Sequence, residues 1–370
     1  MRRADQRKWA HAYLAGLLAT PGKKSVRRLA GAISSDPSVI HSLRQFISLS
    51  PWDADVVMGE LTRWVADHRP EPVWTISRAI LPKSGDRSVG VHRYFDPTSG
   101  RTLNCQLALG SFLRVGTAQV PVDWSLHLSP SWTEDRERRR DARIPDSEEH
   151  LPLWAHALRL VDRLSSRTES SSALVLADMS DEPDVEHLLN GLNRRRQDFV
   201  VAVPPHLPVL PVGDGTPGTT EPVGAKSLVS TQNPELTVVT LPDGRQRRAR
   251  IRTSLVHLPG CGLGRCPGPL YRVFTEVDAD RNPVPMWLTG RIHSSLAQLA
   301  SLTALNAETQ AVIGSLKRDF GLLDFEGRSY PGWYHHMTLV SAACAYWCLN
   351  GLTTVSPSFE GHDDRAQRVP

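Results

Sequence analysis

The stretch PVWTISRAILPKSGDRSVGVHRYF, Pro72 to Phe95, reads as an apolar strand, a Lys-Ser-Gly turn and a second strand. It has the frame of an active-site hairpin. Where acid–base or metal chemistry would need carboxylates, it carries a hydroxyl at Ser77 and a cation at Arg78. One carboxylate, Asp178, closes the buried-strand pattern SALVLAD. No spacing of Ser, His and Asp supports a nucleophilic triad. His257 stands four residues before Cys261, and Cys266 follows five later, but a zinc site needs a fourth ligand and none is evident. These cysteines read instead as small buried or loop residues. Cys344 and Cys348, four apart on an apolar helix, read as core packing. His335 and His336 are open to two readings, phosphate contact or core. The run RERRRDAR, Arg136 to Arg143, could line a DNA groove. With Glu134, Asp135, Glu137 and Asp141 around it, a solvated loop is an equal alternative.

Charge adds a second theme. The chain of 370 residues carries a net +4. Residues 1–30 hold eight Arg and Lys side chains against the single acid Asp5, a surplus of seven. Such a cluster suits a phosphate backbone, and Arg7, Lys8, Lys23, Lys24, Arg27 and Arg28 are its candidate contacts. A solvated helix face explains the same residues. No run of about 18 apolar residues is present, so no membrane span is expected. The basic N-terminus lacks the apolar core of an export signal and reads as an amphipathic helix. Five scattered cysteines fit a reducing cytoplasm better than a disulfide framework.

The elements that must position these residues fall into blocks. Residues 1–69 read as four short helices. Apolar residues recur at helical spacing from Trp9 to Leu18, and Asp36-Pro37 and Ser50-Pro51 mark later helix starts. A helix-turn-helix-like DNA-binding unit and a plain bundle are both compatible with them. Residues 70–203 read as strands followed by alternating helix and strand, an α/β core with a mixed sheet. Residues 204–287 are dense in Pro and Gly, hold a hairpin around Asp243-Gly244, and read as a β-rich insertion. Residues 288–350 return to the core with helices from about 294 to 318 and from about 332 to 349. Residues 351–370 read as a flexible tail.

Four segments in this order resemble the DDE-type transposases of bacterial insertion sequences, and within them the insertion sequence 701 family. They are LPKSGDRSVGVHRYFDPTSGRTLNCQLALG, WTEDRERRRDARIPD, ALVLAD, and LKRDFGLLDFEGRSYPGWYHHMTLVSAACAYW. The resemblance implies an RNase H-like core with a mixed sheet, an N-terminal helical domain and a β-rich insertion. It also implies a site of three carboxylates holding two divalent ions for DNA cleavage and joining. Carried over residue by residue, the family's Asp-Asp-Thr falls on Ser77, Arg78 and Ala79, so the first acid is absent. The second acid matches Asp178, although MSDEPD follows it in place of the family's Tyr-Gly. The third acid belongs to a Y-x2-R-x3-E-x6-K helix pattern. Lys317 matches its lysine, and the other positions fall on Gln310, Asn306 and Thr303.

Mg²⁺ needs hard, anionic oxygen ligands. Asp178 alone supplies one, so the ancestral Mg²⁺ site is expected to be lost and no cofactor is expected. Arg78, if it faces the pocket, would pair with Asp178; at about 4 Å and an effective dielectric near 20 that attraction is about 4 kcal/mol. Glu308 cannot replace Gln310, because two residues on a helix turn the side chain by about 200°. Glu326, in the segment that resembles the family's Glu-x-Arg-Ser, reads either as a support to the residues around the site or as structural. Ser77, Asp178 and Gln310 are still expected to converge. The resulting expectation is a transposase-derived protein that no longer cuts, kept as a binder of double-stranded DNA or a regulator, or surviving as a relic. A repurposed non-metal enzyme and an active transposase with an atypical site are the alternatives.

Overall fold

A computed structural model describes residues 1, 3–68, 71–97, 99–168, 173–212, 221–259, 268–277 and 284–350. The chain opens with α1 (Ala4–Ala19), α2 (Val26–Ile33), α3 (Ser38–Ser48) and α4 (Ala54–Ala66). The sheet begins with β1 (Val73–Pro82), β2 (His92–Asp96), β3 (Arg101–Val115) and β4 (Ala118–Leu126). Then come α5 (Pro130–Thr133), α6 (Arg136–Asp141), α7 (Leu153–Thr168), β5 (Leu174–Asp178), α8 (Val185–Arg194) and β6 (Phe199–Val203). The next part holds β7 (Pro208–Pro211), β8 (Val223–Gly224), α9 (Ala225–Ser230), β9 (Glu235–Thr240), β10 (Gln246–His257) and β11 (Leu270–Glu276). β12 (Met286–Thr289), α10 (Leu296–Asp319) and α11 (Tyr330–Asn350) complete it. Cys261, Cys266 and residues 351–370 lie outside the described residues.

The sheet runs β2-β3-β1-β5-β6-β12-β11-β10-β7-β8, with β4 on β3 and β9 on β10. β1 is antiparallel to β3 and parallel to β5, and β5 is parallel to β6. This is a mixed α/β sheet of RNase H-like type. β12 lies antiparallel to β6 and hands the ladder on to β11 and β10. The β-rich segment therefore extends the core sheet, and its strands give β6 a partner at what would otherwise be an aggregation-prone edge.

Strand alternation divides the core. Val73 on β1 and Leu174 and Leu176 on β5 pack with Leu299 and Leu305 of α10. Trp74 and Ile76, with Val175 and Ala177, belong to the larger cluster that includes Leu160 and Leu164 of α7 and Leu188 of α8. α10 starts at a capping box, Ser295 with Gln298, which fixes its first turn against this surface.

The N-terminal helices pack on α11, and the two histidines do the joining. His336 contacts the Tyr13 hydroxyl at 3.0 Å and the Gly321 carbonyl at 2.9 Å, while His335 lies between the Ile47 and Trp52 carbonyls at 3.0 and 2.8 Å. Both are buried, so the core reading holds for them and phosphate contact does not. Gly321 has a φ of 77°, and a Cβ there would come within 2.6 Å of Lys24. The run around Arg136 is a short helix, α6, capped by Asp135, not a loop. Sequence periodicity cannot find a helix of six residues with none buried. Among the described residues, no helix is long and apolar enough to cross a membrane.

Candidate functional site

Ser77 and Asp178 are neighbours on parallel strands. Each lies one step beyond the Ile76–Ala177 pair of the β1–β5 ladder. Strands in a sheet are about 4.8 Å apart, so the two residues stand side by side on one face. That is the face covered by α10, which also carries Asn306 and Gln310. These are four residues apart and so share a side of the helix. Gln310 donates from Nε2 to Ser77 Oγ at 2.7 Å, and Asn306 donates from Nδ2 to Asp178 Oδ2 at 3.1 Å. The other oxygen of Asp178 accepts from the Ser180 backbone at 3.2 Å and from its hydroxyl at 2.8 Å. The structure thus brings Ser77, Asp178 and Gln310 together. Lys317, two turns further along α10, is partly buried. Desolvation holds its ammonium below the ordinary lysine range, against the opposing charge of Asp96.

Arg78 does not pair with Asp178. It makes a bidentate salt bridge to Asp181 and also donates to the Tyr94 hydroxyl. The cause is the pleat: adjacent residues on a strand point to opposite faces, so if Ser77 faces α10, Arg78 cannot. Burial pushes the Asp181 carboxyl up, but the hydrogen bonds and charge of Arg78 outweigh it and hold it below the usual carboxylate range. Asp181 and Tyr94 are the partners that sequence reasoning missed. Alternation along β1 would have shown that Arg78 faces away, but nothing in MSDEPD says which acid turns back towards it.

The pair carries stability in its own right. Arg78→Ala is expected to cost about 3 kcal/mol, the low end for breaking a buried pair, because both side chains keep some solvent. Adding Asp181→Ala should recover part of that loss. Urea unfolding of the two variants measures it. A single variant within 0.5 kcal/mol of the parent, on the order of an ordinary surface change, would contradict this.

Two divalent ions that drive phosphodiester chemistry need a shell of anionic oxygens. The pocket offers one carboxylate, Asp178, both of whose oxygens already accept hydrogen bonds, and the neutral groups of Ser77, Asn306 and Gln310. These residues do not fit such a pair of ions. Among the described residues, no group of three or more His, Cys, Asp or Glu side chains is placed to hold a metal. Glu308 points elsewhere and binds Arg114 at 2.7 Å.

The basic N-terminal residues divide. Arg7, Lys8, Arg27 and Arg28 are exposed. Lys23 is exposed and 3.9 Å from Glu326, and Arg28 also donates to the Pro21 carbonyl at 2.9 Å. Lys24 is the exception. It is 4% exposed, and its ammonium donates to the Leu17 carbonyl at 2.6 Å and to that of Thr20. Its backbone N–H binds Asp324 at 2.7 Å. Lys24 is therefore a tie between α1 and the turn after α10 and presents no charge to a phosphate. One-dimensional counting could not separate it from its neighbour Lys23.

No curated protein matches the chain. A family model described as DDE superfamily endonuclease matches residues 1–257, a span that contains Ser77 and Asp178 but stops short of α10. With the RNase H-like ladder and the side-by-side placement of those two residues, that match gives the conclusion that the chain belongs to the DDE superfamily endonucleases.

Proposed function

We propose that this chain is a transposase-derived protein, similar to the insertion sequence 701 family, that has given up cleavage and binds double-stranded DNA. The observation carrying this reading is the direct Gln310–Ser77 hydrogen bond, in the place where two carboxylates would have flanked a metal. Asn306 closes the same pocket from the next turn of α10. A chain selected for cutting has no use for two amides there, whereas a chain that needs only its fold and surface loses nothing by them. An enzyme with a new reaction in this pocket has less support. The cavity beside Asn306, about 240 Å³, has one Arg and one Glu in its wall, and Arg247 and Glu276 are paired to each other at 2.7 Å.

The test has two readouts. With Mg²⁺ or Mn²⁺, the purified chain is expected to leave supercoiled and linear DNA uncut. Cleavage that vanishes in Asp178→Ala would end the inactive reading. In fluorescence anisotropy across a salt series, log affinity should fall with log salt by about 0.9 per phosphate contacted. Arg27→Ala should flatten that slope by about one unit. Lys24→Met should leave it unchanged in folded protein, because Lys24 is buried. Absence of DNA binding at low salt would favour a relic.

A further inference from the structure

We propose that the β9–β10 ribbon is a second DNA-contacting surface, laid along the major groove of a duplex. The proposal rests on the DNA-binding reading above and adds a contact that the N-terminal cluster does not supply. Five arginines fall within eight residues, Arg245 to Arg252. Two of them are neutralised: Arg245 pairs with Asp243 at 2.5 Å, and Arg247 pairs with Glu276 at 2.7 Å. The side chains of Arg248, Arg250 and Arg252 have no ion-pair or hydrogen-bond partner among the described residues. Arg248 and Arg250 are exposed, while Arg252 is half-buried and its Nε is shut off from solvent without an acceptor. A cation held in that way calls for an anion to complete it.

Strand alternation aligns these three arginines. Ala249 and Ile251 turn inward with Val239, to the core cluster that includes Leu299 of α10. Arg248, Arg250 and Arg252 therefore share the opposite face, each about 7 Å from the next. The ladder sets Val238 across from Arg248 and Leu236 across from Arg250. Both apolar side chains are exposed, at 53% and 65%. The outer face thus carries two parallel rows, one of guanidinium groups and one of aliphatic groups. Farther along β10, Val256 belongs with Val229 of α9 to the larger core, so this face is covered only at that end. From Gln246 to Arg250 the strand pairs with β9, and β11 joins only at Ile251, so the end of the ribbon projects beyond the sheet. The major groove of B-DNA is about 12 Å wide and admits a two-stranded ribbon, whose strands lie about 4.8 Å apart. With the arginine row on one lip, its charges meet successive phosphates of one strand. Leu236 and Val238 then face into the groove, where thymine presents its methyl group. An acidic peptide offers charge without a regular row of anions beside apolar methyl groups.

The test is fluorescence anisotropy of the full-length chain on an A·T-rich duplex across a salt series. Arg248→Gln/Arg250→Gln is expected to flatten the slope of log affinity on log salt by about two units, so a rise from about 50 to 200 mM salt costs it about tenfold less affinity than it costs the parent. Leu236→Ser/Val238→Ser should weaken binding several-fold with the slope unchanged. Replacing thymine by uracil in the duplex should reproduce that loss in the parent but not in this variant. All four side chains are exposed, so melting temperatures within about 2 °C of the parent would show that lost binding is not lost folding. If Arg248→Gln/Arg250→Gln keeps the parent slope while Arg27→Ala flattens it, the ribbon proposal falls and the DNA-binding reading stands. Indifference of the parent to uracil would overturn the groove placement. Polyglutamate binding lost in Arg248→Gln/Arg250→Gln, with duplex binding intact, would assign the surface to an acidic protein instead. No duplex binding by the parent at low salt would overturn both readings.

Discussion

Ser77→Asp combined with Gln310→Glu is expected to lower the melting temperature in the absence of metal and to make the chain responsive to Mn²⁺. Gln310 Nε2 lies 2.7 Å from Ser77 Oγ, so the two new carboxylates would meet at contact distance with Asp178 beside them. Like charges about 3 Å apart at an effective dielectric near 20 repel by roughly 5 kcal/mol, which relaxation and protonation will reduce but not remove. A divalent ion relieves that repulsion and binds the folded state alone. At a hundredfold excess over its dissociation constant it would restore about 2.7 kcal/mol. The measurement is thermal melting with and without Mn²⁺, in the parent, in the double variant, and in the double variant carrying Asp178→Ala. A metal response confined to the double variant is the expected pattern. If Mn²⁺ shifts all three equally, or none, the three positions do not form one site and the alignment of α10 is wrong.

A second large effect is expected below neutral pH. Four histidines gather where β2, β4 and α7 meet. The His127 ring lies 5.3 Å from His92, 5.4 Å from His150 and 5.7 Å from His156. His156 contacts Ser125 Oγ at 2.8 Å, and Arg159 and Arg163 add positive charge near it. Desolvation, then the neighbouring imidazoles His92 and His150, hold His127 down at about 4. Desolvation, then His127 and the two arginines, hold His156 at about 3. Desolvation also holds His336, under α1, at about 4. All three start from an unfolded value near 6.5. Above that value both states are neutral and nothing is lost. As pH falls below it the unfolded chain takes up protons that the folded chain refuses, so stability drops until the folded values are reached. Each histidine contributes up to about 1.4 kcal/mol per pH unit in that window. Urea midpoints between pH 7 and 4.5 should fall steeply, and His127→Gln/His156→Gln should flatten the fall by more than half. A parent whose stability is level across that range would refute the buried neutral state of these rings. Carboxylates such as Asp181, held low by Arg78, add their own loss only at lower pH.

Much of this protein is legible in its sequence because the deciding forces are local. The helix expected from about 294 to 318 is α10, Asp243-Gly244 marks the β9–β10 hairpin, and SALVLAD marks β5 with its acid at the end. Residue identity alone shows that Ser77 and Gln310 cannot supply anionic oxygen, whatever surrounds them. Which partner a side chain finds was decided elsewhere. The pleat sends Arg78 away from Ser77, and only the turn after β5 brings Asp181 round to meet it. Packing of the end of α1 against the turn after α10 makes Lys24 a buried tie instead of a surface cation, while Lys23 beside it stays exposed. The meeting of His92, His127, His150 and His156 depends on three elements converging, since residues distant in sequence become neighbours only when strand register and helix docking are fixed. Sequence fixes what each residue can do chemically, and the tertiary structure decides which of those capacities meet, because charge, hydrogen bonding and desolvation act over only a few ångströms of space.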